Sequence, residues 1–218
     1  MRVLTWNLFH GRSRPPSGRS LQREFAEALA GWEWDVALLQ EVPPWFPEPL
    51  AAAAGAEQRM QLTSRNQLLA LTRPISVRNP DLLKSWGGGC NAILVRGQPI
   101  LGHRAQRLRR APEARWVHGV RLGGGWVVNV HSHNKPEALA LADTQRAIAA
   151  ARAWAGGVPL VFGGDINLRH PPQFPGFVHV AGNHVDHLFT DGRAAAGKGQ
   201  VIARGVLSDH PPVAVTLA

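Results

Sequence analysis

The sequence contains no tyrosine and a single cysteine, Cys90. One thiol excludes an internal disulfide and a zinc ribbon, and the missing phenol excludes any reaction step that needs one. No apolar run reaches the length of a membrane-spanning helix. The first residues enter a strand-like run without a basic segment and a longer apolar one, so no signal peptide is expected. We therefore expect a cytoplasmic protein, unless a leader has been removed.

Lysine is scarce as well, since it occurs at positions 84, 135 and 198, while the formal net charge is +9. The positive charge therefore comes mostly from arginine, whose planar fork fits phosphate oxygens. This favours a polyanionic partner such as nucleic acid. The joint abundance of alanine, glycine, arginine and proline is equally typical of a GC-rich genome, so both interpretations stay open.

The length of 218 residues is enough to bury a sizeable core. No internal repeat, low-complexity linker or charge block marks a boundary, so we predict one α/β domain over residues 1–218. Nothing indicates an obligate protein partner, and a monomer is expected. Apolar periodicity predicts helices and strands along the chain. The predicted helices cover 21–32, 46–54 and 136–154, and the predicted strands cover 2–8, 35–40, 68–72, 91–95, 116–122, 126–130, 159–162, 184–189, 201–203 and 213–217.

Polar side chains stand at or just beyond the ends of the predicted strands. They are Asn7, Glu41, His131, Asp165 with Asn167, Asp186, and the pair Asp209-His210. Strand ends line ligand clefts in sheet-based α/β domains, so these groups are expected to meet. Carboxylate and carboxamide oxygens without a nearby thiolate suit Mg²⁺ or Mn²⁺ better than zinc. Each group taken alone is also what a solvated strand end or turn would show.

The same residues lie in motifs that resemble a known family. The motifs are Thr5-Trp6-Asn7, Leu39-Gln40-Glu41, Asn129-Val130-His131, Gly164-Asp165-Ile166-Asn167, Val185-Asp186-His187-Leu188-Phe189 and Ser208-Asp209-His210-Pro211-Pro212-Val213. Their order resembles that of the endonuclease/exonuclease/phosphatase (DNase I-like) superfamily. The resemblance implies a four-layer α/β sandwich of two stacked mixed β-sheets with helices outside. It also implies a phosphoesterase whose active site lies at one edge of the sheets.

The resemblance assigns a role to each strand-end residue. Glu41, with Asn7 and Asp209, would hold a divalent cation that polarises the phosphoryl group. Asp165 would orient or deprotonate the attacking water, and Asn167 would donate to a phosphate oxygen. The carboxylate of Asp186 would fix the tautomer of His210 and favour its charged form. His131 would be a second imidazole on the phosphate side.

Other basic and aromatic residues are weaker candidates for contact with the substrate. His10 is a candidate for lining the cleft because it follows Asn7 closely. Arg107, Arg109 and Arg110 belong to a basic stretch that would suit a nucleic-acid backbone, although an exposed hairpin face explains it equally well. Trp86, which precedes three glycines, would suit a mobile loop that stacks on a base; packing within the protein is the alternative.

The sequence departs from the family pattern at points that restrict the function. Phe9 stands where many nucleases of the group carry an acidic residue, and no tyrosine is present, so abasic-site repair is disfavoured. The favoured function is a Mg²⁺-dependent nuclease with little sequence preference. A phosphodiesterase or phosphatase acting on a lipid head group or small phosphoester is the alternative, and it would need an exposed apolar rim, for which 45–46 and 174–177 are candidates. A non-catalytic nucleic-acid-binding module would not need the strand-end residues together.

Overall fold

The structure, a computed structural model, describes residues 1–192 and 197–218. The strands in these ranges, in chain order, are β1 (Arg2–Asn7), β2 (Val36–Val42), β3 (Glu57–Leu62), β4 (Cys90–Val95), β5 (Gly102–Arg109), β6 (Arg115–Leu122), β7 (Gly125–His131), β8 (Leu160–Asp165), β9 (Val178–Asn183), β10 (Asp186–Thr190), β11 (Gln200–Val201) and β12 (Val213–Thr216). The helices are α1 (Gln22–Gly31), α2 (Pro47–Ala54), α3 (Leu69–Arg78), α4 (Pro80–Leu83) and α5 (Glu137–Ala155). Short 3-10 turns lie at Phe9–Gly11 and Lys84–Gly87.

The strands form two sheets of mixed direction. The first has the order β11-β12-β1-β2-β4-β3 and the second the order β5-β6-β7-β8-β10-β9. In the first sheet β1 runs parallel to β2, and in the second β7 runs parallel to β8. Each sheet therefore has a central parallel pair whose carboxyl ends point to the same edge.

Alternation along the strands explains why the two sheets stack. In β1, Val3 belongs to the apolar cluster between the sheets, whereas Leu4 and Trp6 face the helices α1 and α2. In β8, Val161 lies between the sheets, whereas Phe162 faces α5. Central strands covered on both faces are apolar without interruption, as the sequence shows. The predicted four-layer sandwich, with two stacked mixed sheets and helices outside, is confirmed.

Three features of the chain differ from the sequence prediction. The predicted strand at 68–72 is wrong, because α3 occupies Leu69–Arg78; a short apolar run does not distinguish strand from helix. The strands β3, β5 and β9 were not predicted individually, because they are edge strands with many polar residues. The glycines that follow Trp86 are buried rather than in an open loop, although Trp86 itself is exposed.

The segments predicted as candidates for an exposed apolar rim contain buried aromatic side chains. Phe46 is buried in the core beneath α1, and Phe174 packs with Phe162 and Phe189 beneath the second sheet. Among the described residues no helix has both the length and the apolar character needed to cross a bilayer. The assignment of the chain to one domain stays a prediction.

Candidate active site at the shared sheet edge

The carboxyl ends of both parallel strand pairs meet at one cleft. Asn7 ends β1 beside Gln40 of β2, and Glu41 follows at a bulge with φ of 49°. In the second sheet Asp165 pairs with His131 on one side and with Asp186 on the other. The resulting cleft has a volume of about 550 Å³, and most of the predicted site residues line it.

Asp165 is the buried centre of this arrangement and joins the two sheets. Its Oδ2 accepts a hydrogen bond of 2.9 Å from the Asn7 amide, and its Oδ1 accepts one of 3.1 Å from the backbone N–H of Asn167. Burial, followed by the negative charge of Asp186, raises the pKa of Asp165 to about 7. The carboxylate is therefore poised to accept or release a proton near neutral pH.

Asp186 and His210 form a close acid–base pair. His210 Nδ1 lies 2.7 Å from Asp186 Oδ2. Burial disfavours the charged imidazole, but the hydrogen bond that His210 donates to Asp186 and the surrounding carboxylates outweigh it and raise the pKa of His210 to about 10. Burial also raises the pKa of Asp186, and the same hydrogen bond opposes that shift. At 2.7 Å the ion pair is the form favoured at neutral pH, so Asp186 faces a protonated His210.

The turn that carries His210 is fastened to β1 by hydrogen bonds. The Ser208 hydroxyl donates to the Asn7 carbonyl at 2.6 Å and accepts from the backbone N–H of His210 at 3.0 Å. The Trp6 indole donates to the carbonyl of His210 at 2.8 Å. The last strand therefore returns beside β1 with His210 held over the cleft.

His131 is a neutral imidazole held by a cation. An N–H of Arg115 donates to His131 Nδ1 at 3.0 Å, which leaves the proton of the neutral ring on Nε2. That Nε2 lies 3.6 Å from Asp165 Oδ2 and 3.9 Å from Glu41 Oε1. Burial and the neighbouring positive charge of Arg115 lower the pKa of His131 well below its ordinary value. Of the histidines that line the cleft, His131 is thus neutral and His210 charged.

The oxygen atoms predicted to hold a metal also face this cleft. Glu41 is partly exposed and pairs with His10, with 3.2 Å between Oε2 and Nε2. Asp209 Oδ2 accepts a hydrogen bond from Arg14, whereas the buried Oδ1 has no hydrogen-bond partner among the described residues and lies 3.8 Å from His210 Nε2. An oxygen at the cleft that accepts no hydrogen bond is compatible with a bound cation, and the available ligand atoms are hard oxygens. The residues present therefore fit Mg²⁺ or Mn²⁺.

A second set of possible ligands lies deeper. One ligand atom from each of Asp165, Asp186 and His210 lies within 4.8 Å of the others. A metal ligand must be deprotonated, whereas His210 is protonated and its Nδ1 is occupied by Asp186. This deeper cluster is therefore better suited to handling protons than to holding a cation, and the assignment of Asn7, Glu41 and Asp209 to the metal stays a prediction.

The three arginines predicted to contact substrate lie outside the lining of the cleft. Arg109 binds the buried carboxylate of Asp143 at 2.7 Å on the helix side of the second sheet. The guanidinium of Arg107 packs 5.7 Å from the ring centroid of Trp116, and Arg110 is exposed beyond the end of β5. Arg109 therefore has a structural partner, and a substrate role for all three stays a prediction.

Sequence reasoning missed three charged residues that line the cleft, Arg65, Glu113 and Lys135. Arg115, which belongs to the predicted basic stretch, also lines it and binds Glu113 at 2.8 Å. The predicted hairpin already indicated that Arg115 lies close to His131. Because Val117 pairs with Val130, the first residues of β6 must lie beside the end of β7, where His131 stands. The remaining three residues come from loops, which carry no such register.

The sequence profile described as "Endonuclease/Exonuclease/phosphatase family" matches residues 4–210, nearly the whole chain. The chain belongs to this family. Members of the family are phosphoesterases and are generally dependent on a divalent metal, so the predicted superfamily is confirmed and the protein is a phosphoesterase at that level of description. No curated protein sequence matches the chain.

Solved structures of the endonuclease/exonuclease/phosphatase family share the fold. A family member from Bacteroides vulgatus has a TM-score of 0.75 at 15% identity, with 100% of this chain and 98% of that chain covered. TDP2 from Caenorhabditis elegans has a TM-score of 0.71 at 16% identity, with 100% and 74% covered. A mannosyl-6-phosphatase from Bacteroides thetaiotaomicron has a TM-score of 0.70 at 14% identity, with 100% and 99% covered. At these identities the likeness shows the fold and leaves the substrate open.

Proposed function

We propose that the protein is a divalent-metal-dependent phosphodiesterase that hydrolyses DNA or RNA with little sequence preference. The observation that carries the proposal is the content of the cleft. A buried carboxylate with a pKa of about 7, Asp165, stands beside a charged histidine, His210, and a neutral one, His131. Groups whose environments push their pKa values apart are typical of acid–base sites.

Asp165 is the proposed acceptor of the proton from the attacking water. Its pKa lies near neutral pH, which is the range in which a general base is most effective. The Asn7 amide fixes the position of Oδ2, so the carboxylate has a defined direction toward the cleft. The water oxygen forms a bond to phosphorus, its proton passes to Asp165, and the phosphorus–oxygen bond to the leaving group breaks.

His210 and Asn167 are the proposed stabilisers of the charge that develops on the phosphoryl oxygens. The imidazolium of His210 is preorganised by Asp186 at 2.7 Å and therefore needs no reorientation during the reaction. Asn167 is held in a left-handed conformation with φ of 55°, and its amide donates to the Ser132 carbonyl at 3.0 Å. Its backbone N–H is used to hold Asp165, which ties the two groups together.

Glu41, Asn7 and Asp209 are the proposed holders of the cation. When bound, the ion would draw charge from the phosphoryl group and orient it. Glu41 reaches the cleft because the bulge at the end of β2 turns its backbone into a left-handed conformation. His10 keeps the Glu41 carboxylate in place at 3.2 Å.

The choice of nucleic acid as substrate is supported by charge and by the form of the cleft. The chain has a net charge of +9, and Arg65, Arg115 and Lys135 stand along the cleft wall. Basic side chains along an open cleft suit a polyanion. A lipid head group is a second candidate, favoured by an exposed apolar surface beside the cleft that is described in the next subsection.

Hydrolysis of four substrates tests the proposal: plasmid DNA, RNA, bis-p-nitrophenyl phosphate and sphingomyelin, each with Mg²⁺, Mn²⁺ or EDTA. We expect metal-dependent cleavage of a nucleic acid, abolished in Glu41→Gln and retained in the matched control Glu48→Gln, which removes an exposed carboxylate on α2. Cleavage that persists in EDTA or in Glu41→Gln would contradict the metal assignment. Turnover of sphingomyelin without turnover of nucleic acid would contradict the substrate assignment.

A further inference from the structure

Large apolar side chains are exposed on and around α3. Leu68, Leu71, Ile75, Leu82 and Trp86 are between 45% and 70% exposed. The first three follow one another at intervals of three and four residues, so they lie on one face of the helix. Ser76 is the buried residue within α3. We refer to these five residues as the α3 surface.

The α3 surface brings exposed apolar side chains together. Leu71 and Ile75 lie one turn apart on α3, and Ile75 and Leu82 line a common groove, which also includes Pro74. Single exposed apolar residues are normal, whereas a group of them marks a site of protein or membrane interaction. The α3 surface therefore needs an occupant.

Charge around the α3 surface indicates what that occupant is. Arg78 and Lys84 lie within the same segment and are exposed, and Arg78 lines the groove with Ile75 and Leu82. The acidic residue of this segment, Asp81, is occupied by the Arg12 guanidinium at 2.9 Å and by the backbone N–H of Gly18. The surface is therefore apolar and positive, which opposes pairing with a second copy and suits an anionic partner.

The α3 surface borders the catalytic cleft. The guanidinium of Arg65 lies 5.1 Å from the ring centroid of Trp86. Arg65 also binds Ser85 and Glu113, and all three line the cleft. An occupant of the α3 surface would therefore lie beside the point where a phosphoester is held.

We propose that the α3 surface docks on an anionic phospholipid bilayer. Leu68, Leu71 and Leu82 enter the boundary of the acyl chains, and Trp86 lies at the level of the head groups, where its amphipathic ring is stable. The neighbouring Arg78 and Lys84 contact lipid phosphates, and each such cation strengthens binding about five-fold. This docking is independent of the proposed hydrolysis and places the cleft next to the membrane surface.

Co-sedimentation with vesicles, in EDTA to prevent turnover, tests the proposal. Vesicles of phosphatidylglycerol and phosphatidylcholine should bind the wild-type chain more strongly than phosphatidylcholine alone. The double variant Leu71→Glu/Leu82→Glu should bind them at least about ten-fold more weakly, because it removes apolar contact and adds negative charge. The matched control is Leu101→Glu. Leu101 is 62% exposed and lies near the end of β6 that is farther from Arg115. It should bind like the wild type.

Three results would overturn the proposal. One is a wild-type chain that does not bind anionic vesicles at low salt. Another is equal loss of binding in the double variant and in Leu101→Glu. The third is a wild-type chain that does not bind vesicles but forms a concentration-dependent dimer or binds single-stranded DNA, where the double variant does neither. Hydrolysis of bis-p-nitrophenyl phosphate with Mg²⁺ should be unchanged in the double variant, so failure of docking is distinguishable from failure of the proposed catalysis.

Discussion

Replacing Asp186 by asparagine isolates the electrostatic part of the proposed mechanism. The amide keeps the size of the carboxylate and an oxygen that can accept from His210 Nδ1, but it loses the negative charge. In the wild type that oxygen is 2.7 Å from the imidazole, and Asp186 is 1% exposed. The variant therefore changes the charge of His210 with little change in packing.

The size of the effect follows from the shift in pKa. His210 has a pKa of about 10 instead of the ordinary 6.5, which corresponds to about 5 kcal/mol in favour of the imidazolium, shared among Asp186, Asp165 and Asp209. Without Asp186, burial opposes the charge and only Asp165 and Asp209 still favour it, so the pKa of His210 should fall. A smaller fraction of the imidazole would then be charged at pH 8. Loss of the charge and of the fixed tautomer together should lower kcat/KM by about 10²–10⁴-fold.

Two measurements check this expectation. In EDTA, the NMR titration of the His210 ring should move from a midpoint near pH 10 in the wild type to a lower pH in Asp186→Asn. With Mg²⁺, the ratio of variant to wild-type activity should rise as the pH falls from 8 toward 6, because protonation of the proposed base Asp165 lowers the activity of both proteins. Glu33→Gln, which removes an exposed carboxylate before β2, should resemble the wild type. An unchanged midpoint in Asp186→Asn would refute the reasoning, whatever happens to the rate.

The remaining predictions concern stability, tautomer and substrate. Burial lowers the pKa of His118 to about 3, so its contribution to folding is complete above pH 6.5 and is lost as the pH falls toward 3. The loss of unfolding free energy between pH 7.5 and 5, measured with denaturant, should be about 2 kcal/mol smaller in His118→Gln than in the wild type; equal losses in both proteins would contradict this. Arg115→Gln should lower kcat about 10–100-fold by freeing the ring of His131, whereas Arg121→Gln at the far end of β6 should not. If nucleic acid is the substrate, its KM should rise steeply between about 50 and 200 mM salt; a flat response would contradict contact with phosphates.

The residues at the ends of the central strands were predictable because strand geometry is regular. Parallel neighbours bring their carboxyl ends to one edge, so Asn7 meets Gln40, and His131 meets Asp165. Ile166 lies in the core beneath α5 and Asp165 and Asn167 line the cleft, as predicted, although Ile166 and Asn167 follow the end of β8 and Asn167 has a left-handed backbone. The position of Asp165 depends on the period of a strand, which the sequence displays.

The helix α3 and the residues in loops were not predictable on the same basis. The run before Thr72 is too short for its period to be read, and α3 buries almost nothing that would reveal a face. Arg65, Glu113 and Lys135 reach the cleft from loops whose path depends on contacts distant in sequence. The exposed apolar α3 surface lies on the same helix. Because a strand was predicted at 68–72, the sequence analysis did not identify this surface as the apolar rim that the lipid alternative requires.

The joining of the two sheets explains why some motif residues do not line the cleft. Gln40 and Asn129 are fully buried, and the Gln40 amide donates to Asn129 Oδ1 at 2.7 Å. The Asn129 amide in turn donates to the carbonyls of Leu39 and Ala92 in the other sheet, at 2.9 and 3.0 Å. An unpaired buried amide costs about 1–3 kcal/mol, so a slip of one sheet against the other is strongly opposed. Since Gln40 directly precedes Glu41 and Asn129 lies two residues before His131, the pair that fixes the stacking of the sheets also fixes the distance across the site.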